Sequence, residues 1–510
     1  MRRLIVLLAI VFSLNASTLT IALGDWGYPN PFTFYPRGPG FVITSFVFDT
    51  LVWKDAHGVI PWLAVKWEHP NSTTWIFYLR KAYWSDGKPF TAQDVVFTIN
   101  YYIEHHWKWK DLTDVIKYVK ALNETAVLIE LKRPVPLFLD YYASSIFIIP
   151  KHVWEHVKNP YTFTSPESFI GTGPYVLKEY RPRIGYTFVE NPRFWGPKPV
   201  YDVLKVVSVG LFSPQTAVAA LIRGEVDSVA LMGKAWRLIK FAERTVKGLR
   251  VQKGPMYWVL FLGFNLNKYP YDLPSFRKAI AYALNLRELV LRAVGSLRAA
   301  IPGTPGYVPP YSEFYNPKVP KYPYDPTKAK EILDELGIVD VNGDGCRELG
   351  GKPWHPLLVT IKPYVQEALI IKSMLRKVGI CVNVKVVPSF KQLDTIVKSG
   401  NFDMEINGHG SDGNNPMAFV WIFKAFGTPW RDPEYQRLVN ELLNAKTINE
   451  LYQIVKEIQV VIAKKLPRIA LYYPYEFVLT RPEVKVRWFF TYHGIDGGIP
   501  LPYNKLALLR

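Results

Sequence analysis

Apolar and polar residues alternate in some short runs of this chain and recur at helical spacing in others. Residues 18–24 (TLTIALG), 74–80 (TWIFYLR) and 125–132 (TAVLIELK) alternate as strands with one buried face do. Residues 91–106 (TAQDVVFTINYYIEHH) shift to a three-and-four spacing behind Thr91, a good N-cap, and predict a helix. Residues 275–294 (SFRKAIAYALNLRELVLRAV) predict one amphipathic helix. Residues 325–337 predict another, opened by Asp325 and Pro326 and stopped at Gly337. Residues 356–363 (PLLVTIKP) and 381–388 (CVNVKVVP) read as strands around a helix at 365–379, and 402–408 (FDMEING) reads as a further strand. The chain reads as mixed α/β, and that β, α, β order predicts a largely parallel sheet with a right-handed crossover in this part of it.

The stretch INGHGSDGNNP, residues 406–416, follows the last of those strands, at the strand end where open α/β sheets bind ligands. Gly408, Gly410 and Gly413 have the spacing of a dinucleotide fingerprint. Such a fingerprint runs directly into a helix whose N-terminus receives the pyrophosphate. Here Asn414, Asn415 and Pro416 intervene and a helix is expected from Pro416, so the spacing is coincidental.

A chain of 510 residues implies roughly two to four domains. Hydrophobic residues at 49% and charged residues at 21% are globular proportions, which excludes disorder and a membrane-embedded body. Aromatic residues make up 15%, with 16 Trp and 31 Tyr, and favour broad, partly wet recognition of peptides or sugars beside ordinary core packing. The net charge of +19 is scattered, with no basic helix and no nucleic-acid motif, so nucleic acid is not expected as a partner.

At the N-terminus, Arg2 and Arg3 precede an apolar run from Leu4 to Leu14 and small residues at Ala16 and Ser17. This is the layout of a secretory signal over residues 1–16, too short to span a bilayer comfortably. The mature chain is then expected outside the cytoplasmic membrane, extracellular or periplasmic, with its positive charge holding it near an anionic cell surface. Cys346 and Cys381 are the two cysteines. They permit one disulfide or two free thiols.

Several segments together resemble the extracellular solute-binding proteins of family 5, the receptors of oligopeptide, dipeptide, nickel and some oligosaccharide ABC importers. They are residues 60–68 (IPWLAVKWE), 77–99 (FYLRKAYWSDGKPFTAQDVVFTI), 171–180 (GTGPYVLKEY) and 191–199 (NPRFWGPKP), then 223–229 (RGEVDSV), 264–285 (FNLNKYPYDLPSFRKAIAYALN) and 325–338. Their order and spacing match the family's from end to end. The resemblance implies the large, three-domain, type II periplasmic-binding-protein fold, two lobes closing on a ligand. It divides the chain into a discontinuous first domain (17–52, 170–262 and 478–510), an inserted domain (53–169) and a C-terminal lobe (263–477). Pivots are expected near 263–265 and 473–477.

In the peptide-binding branch of that family a Gly-Trp-x-x-Asp segment places its Asp on the ligand's α-ammonium. Gly408, His409, Gly410, Ser411 and Asp412 resemble it, with His409 in place of the Trp. A carboxylate in a closing, water-poor cleft attracts a cation strongly; the plainer alternative is that Asp412 caps the next helix. Trp26, Tyr28, Trp258, Asn265 and Tyr473 lie at segments that by resemblance border the cleft. They suit a short peptide or, by stacking, an oligosaccharide. The implied function is solute capture for membrane-embedded permease subunits, by a monomer that requires no cofactor.

Outside that motif, Asp340, Asn342, Asp344, Cys346 (through its carbonyl) and Glu348 alternate as oxygen ligands do in a calcium loop, but Gly351 stands where an EF-hand has its bidentate Glu. A structural calcium and a plain Asx/Gly turn both fit. His152 and His156 share a helix face without the Glu of a metalloprotease, and there is no G-x-S-x-G. A secreted glycosidase or peptidase is the remaining alternative, and it would be recognised by turnover. Asn71 and Asn123 head glycosylation sequons.

Overall fold

The alternation at Thr18–Ala22 becomes a strand in the middle of the main sheet, with Leu19 and Ile21 fully buried. The computed structural model describes residues 16–34, 38–108, 112–209, 213–410, 415–494 and 502–509. The first strand runs parallel to Val203–Val207 and Ser228–Met232, and antiparallel strands Gly185–Glu190 and Tyr175–Arg181 extend that edge. A long strand, Arg468–Thr480, joins this half to a second one built from Trp258–Phe264, Met404–Gly410, Leu357–Ile361 and Asn383–Val387. Leu357–Ile361 lies parallel to both Asn383–Val387 and Met404–Gly410, with helix Val365–Arg376 on the crossover, as the β, α, β pattern predicts.

The long strand passes from one half to the other inside 473–477. Its pairing with Trp258–Phe264 ends at Tyr472 and its pairing with Ser228–Met232 starts at Glu476. The second passage differs from expectation. Arg250–Pro255 pairs with Thr480 to Tyr475, and the next strand, already in the second half, starts at Trp258. The chain therefore changes halves around Tyr257, which holds a left-handed φ of +49°, and not at 263–265. Gly263 to Asn265 lie at the far end of that strand, inside the second half.

Among the described residues the buried apolar side chains form three clusters. One draws on residues 19–206 with the C-terminal segment, from Val478 to Leu508. A second unites Ala217–Ala242 with residues 260–479, and a third packs Val259 and Phe261 against helices Pro433–Asn444 and Ile448–Lys465. Beside the main sheet, a four-stranded antiparallel sheet is built from Ala64–Asn71, Thr74–Leu79, Ala126–Leu131 and Ile116–Asn123. Helix Ala92–Glu104 accompanies it, and Thr91 opens that helix with a full capping box against Asp94.

The helix predicted over 275–294 is two helices, Pro274–Ala283 and Leu286–Ala293. Asn285 accepts the Glu288 N–H at 3.0 Å and starts the second one. An Asn at such a point competes with the helix for its own backbone, which apolar spacing does not register. Cys346 and Cys381 form a disulfide. Among the described residues no helix is long and apolar enough to cross a membrane.

Candidate functional site

Two loops leave the C-terminal ends of central strands, one in each half of the sheet. After Thr18–Ala22, Asp25 is fixed from three directions: it accepts from the Tyr180 hydroxyl at 2.8 Å, from the Tyr186 hydroxyl at 3.1 Å and from the Arg183 N–H at 2.5 Å. Burial pushes this carboxyl up, but the Arg183 N–H and the tyrosine hydroxyls outweigh it and hold it below the ordinary range. The loop is thereby rigid where Trp26 and Tyr28 stand, both half-buried. The Trp26 N–H donates to the Tyr186 hydroxyl at 2.8 Å and its indole N–H to the Leu23 carbonyl at 2.7 Å. Tyr28 packs between Phe169 and the edge of Tyr180.

In the other half, Trp258 and Gly410 face each other across antiparallel strands. The half-buried indole lies along the strand end: a Cβ on Gly408 would come within 2.5 Å of the Trp258 Nε1, and one on Gly410 within 3.6 Å of its ring. The Gly-x-Gly spacing is the imprint of that indole, which needs bare backbone beneath it. Gly410 is the last described residue of the motif; Ser411 and Asp412 lie outside the described residues. Asn415 caps the 3₁₀ turn Pro416–Val420, accepting from the Met417 N–H at 3.0 Å.

Three expected ligand contacts turn inward. His409 alternates to the opposite face from the glycines and is buried, 2.9 Å from the Tyr307 hydroxyl and stacked on Phe426 at 4.7 Å. Burial, with the Arg468 charge behind it, keeps its pKa far below the ordinary imidazole value, so it is neutral. It replaces the family's Trp in the chain but packs in the lobe. Asn265 is buried as well, its amide donating to the Gly400 and Phe402 carbonyls at 3.0 Å each. It fixes the turn into Met404–Gly410. Tyr473 is fully buried, with its hydroxyl 2.9 Å from that of Thr304.

At the passage between the halves, sequence reading overlooked a row of rings: Tyr257 on Tyr311 (5.6 Å), Tyr311 on Tyr475 (5.8 Å), and the Lys253 ammonium 4.1 Å from the Tyr475 ring. No motif marks them. The signal that could have found them is tyrosines flanking strand ends that the topology brings together.

In the acidic loop, Asp340, Asp344 and Glu348 each bring an oxygen within 4.8 Å of the others. Those oxygens are also engaged internally: Asp340 accepts from the N–H groups of Gly343 and Gly345 (2.8 Å each), Asp344 from Cys346 (2.6 Å) and Glu348 from Val341 (2.8 Å). Asn342 accepts from the Asp344 N–H at 2.8 Å. The disulfide ties this loop to Cys381 beside helix Val365–Arg376.

Half-buried aromatic side chains thus stand at strand ends of both sheet halves, Trp26 and Tyr28 in one and Trp258 in the other. Residues 58–428 match the family model described as bacterial extracellular solute-binding proteins, family 5 Middle. Among curated proteins, the nickel-binding periplasmic protein of Escherichia coli is 30% identical over 325 residues, 61% of this chain and 59% of that protein. The dipeptide-binding protein of E. coli is 26% identical over 469 residues, 84% and 83% of the two chains. Among solved structures, a periplasmic oligopeptide-binding protein of an oligopeptide ABC transporter from Thermotoga maritima superposes with a TM-score of 0.81 at 25% identity over 97% of each chain. A mannohexaose-bound structure of that protein gives 0.71 at 24% identity, with the same coverage.

Proposed function

This chain belongs to the bacterial extracellular solute-binding proteins of family 5, and from that premise we propose that it captures short peptides and delivers them to the permease of an ABC importer. The observation that carries the reading is the end of Met404–Gly410, where the half-buried Trp258 indole lies over the backbone of Gly408 and Gly410 immediately before Asp412 in the chain. A peptide rests against that indole, and Asp412 receives its ammonium. The relatives named for dipeptides and oligopeptides support this choice. The chain is exported by residues 1–16, acts as a monomer and closes its lobes on the solute, with no chemical step and no cofactor.

An oligosaccharide is the second reading, favoured by the half-buried Trp26, Tyr28 and Trp258 and by the mannohexaose in the Thermotoga relative. Calorimetric titration of the mature chain and of Asp412→Ala with di- to pentapeptides and with β-linked oligosaccharides separates the two. The expected result is peptide heat that weakens at least about tenfold in the variant, as the loss of a hydrogen bond between charged groups implies. Sugar heat that survives the substitution, with no peptide heat, overturns the peptide reading.

A further inference from the structure

The two sheet halves meet at a second place, away from the glycine-ended strand. His493, near the C-terminus, inserts its imidazole between two carboxylates that belong to different bodies. Its Nδ1 lies 2.5 Å from the Asp140 Oδ2 and its Nε2 lies against the Glu313 Oε1. Asp140 sits in the turn Phe138–Ala143, whose Phe138 and Ala143 are buried with the N-terminal half of the sheet. Glu313 precedes Phe314, which is buried with the two helices of the third cluster. The ring is held on every side: Tyr492 stacks on it at 3.8 Å, Phe314 lies 6.2 Å away, and His493 itself takes a left-handed φ of +51°. A non-glycine residue in that conformation is retained only where its surroundings fix it.

The charges around the ring are unequal. Asp140 already has a cation, the Lys54 ammonium at 2.7 Å. Burial alone would raise this carboxyl, but Lys54 and then His493 overcome it and hold it well below the ordinary range. Glu313 accepts from the hydroxyls of Tyr452 and Tyr492, and among the described residues its one charged partner is His493. Among the described residues a further titratable neighbour is Tyr257, which feels Glu313, Tyr492 and Asp140 and is pushed up chiefly by burial. A neutral imidazole has one N–H, so it can donate to one carboxylate and must turn a lone pair toward the other. An imidazolium donates to both, and supplies the positive charge that Glu313 otherwise lacks.

We propose that His493 is a proton-operated clasp between the lobes: bringing Glu313 onto the imidazole while Asp140 holds its other side takes up a proton, so closure is favoured in mildly acidic surroundings and opposed in alkaline ones. It rests on the reading that the lobes close. A solute receptor with such a clasp gains affinity where protons are abundant, because the closed form is then more populated before the solute arrives.

The test uses the ligand-free mature chain. The His493 ring protons are followed by NMR against pH in the wild type, Glu313→Gln and Asp140→Asn, and the radius of gyration is measured by small-angle scattering at about pH 5.5 and about pH 8.5, on either side of the ordinary imidazole value. The expected result is a His493 midpoint that lies lower in Glu313→Gln than in the wild type, the direction expected of a lost neighbouring charge. The wild-type radius should increase from the lower to the higher pH, and Glu313→Gln should show a larger radius than wild type at the lower pH and no response to pH. A His493 midpoint that ignores Glu313→Gln overturns the proposal, and so does a wild-type radius unchanged by pH. Failure of peptide binding leaves these readouts intact, so the clasp and the solute reading fail separately.

Discussion

Glu476 is a carboxylic acid in the long strand, opposite Gly254 and Met232. A Cβ on Gly254 would run into the Phe490 ring, so glycine there lets the C-terminal segment lie flat over this part of the strand. The Oε2 of Glu476 is buried with no hydrogen-bond partner among the described residues, and burial pushes its pKa up to about 8. The unfolded carboxyl releases its proton near the ordinary value, so between that value and about 8 the folded chain binds the extra proton. Its stability is therefore whole below the ordinary carboxyl range and falls as pH rises through about 8. Glu476→Gln should flatten that fall and leave the variant more stable than wild type at high pH, by an amount of the order of a few kcal/mol. Thermal unfolding from acid to alkaline pH checks this; a variant curve parallel to wild type contradicts it. The residue is in plain sight in the sequence, but its burial is not, because that exists only after residues 232, 254 and 490 have come together.

The glycines of Met404–Gly410 show at the scale of an element what was legible. Their place at a strand end was readable from the alternation of 402–408 and the turn residues behind it, whereas their cause, the Trp258 indole, sits about 150 residues away in the chain. Gly408→Ala should cost about 1–3 kcal/mol of stability, as overpacking does. Because the clash is with the indole Nε1 and Cε2, Trp258→Phe in the same chain should recover part of it. Additive unfolding energies for the pair would contradict the contact. His409 was misplaced for the opposite reason. Motif matching carries a residue's rank in the segment, while strand alternation decides which face it takes. The acidic loop was legible as a turn, and its carboxylates already bind their own N–H groups. Chelation with EDTA is accordingly expected to leave the melting temperature unchanged, and a large fall would establish a structural cation. Reducing the disulfide, which closes a span of 35 residues, should by contrast cost about 3–4 kcal/mol on a chain-entropy basis.

At the scale of the whole molecule, family motifs spread from end to end made the architecture readable, since they report turns and caps that every such fold needs. The passages between the halves were half readable. The long strand changes partners where expected, but the other passage falls at Tyr257, because nothing local distinguishes Pro255 from Gly263 until strand partners are known. Contacts that tie the two halves were not readable at all. Lys234, just after Ser228–Met232, reaches the fully buried Glu367 of helix Val365–Arg376 at 2.6 Å, and Glu367 also accepts from the Tyr472 hydroxyl at 2.7 Å. Arg133 donates to the Leu443 carbonyl, and His493 bridges Asp140 and Glu313. These pairs join parts of the chain that lie far apart in sequence. The most direct measurement is small-angle scattering of the mature chain titrated with a mixed tetrapeptide pool and, in parallel, with a β-linked hexasaccharide. A radius of gyration that falls and saturates with peptide, and does not move with the saccharide, is the result expected of a peptide receptor closing on its solute. An unchanged radius with peptide, or compaction by the saccharide alone, would contradict it.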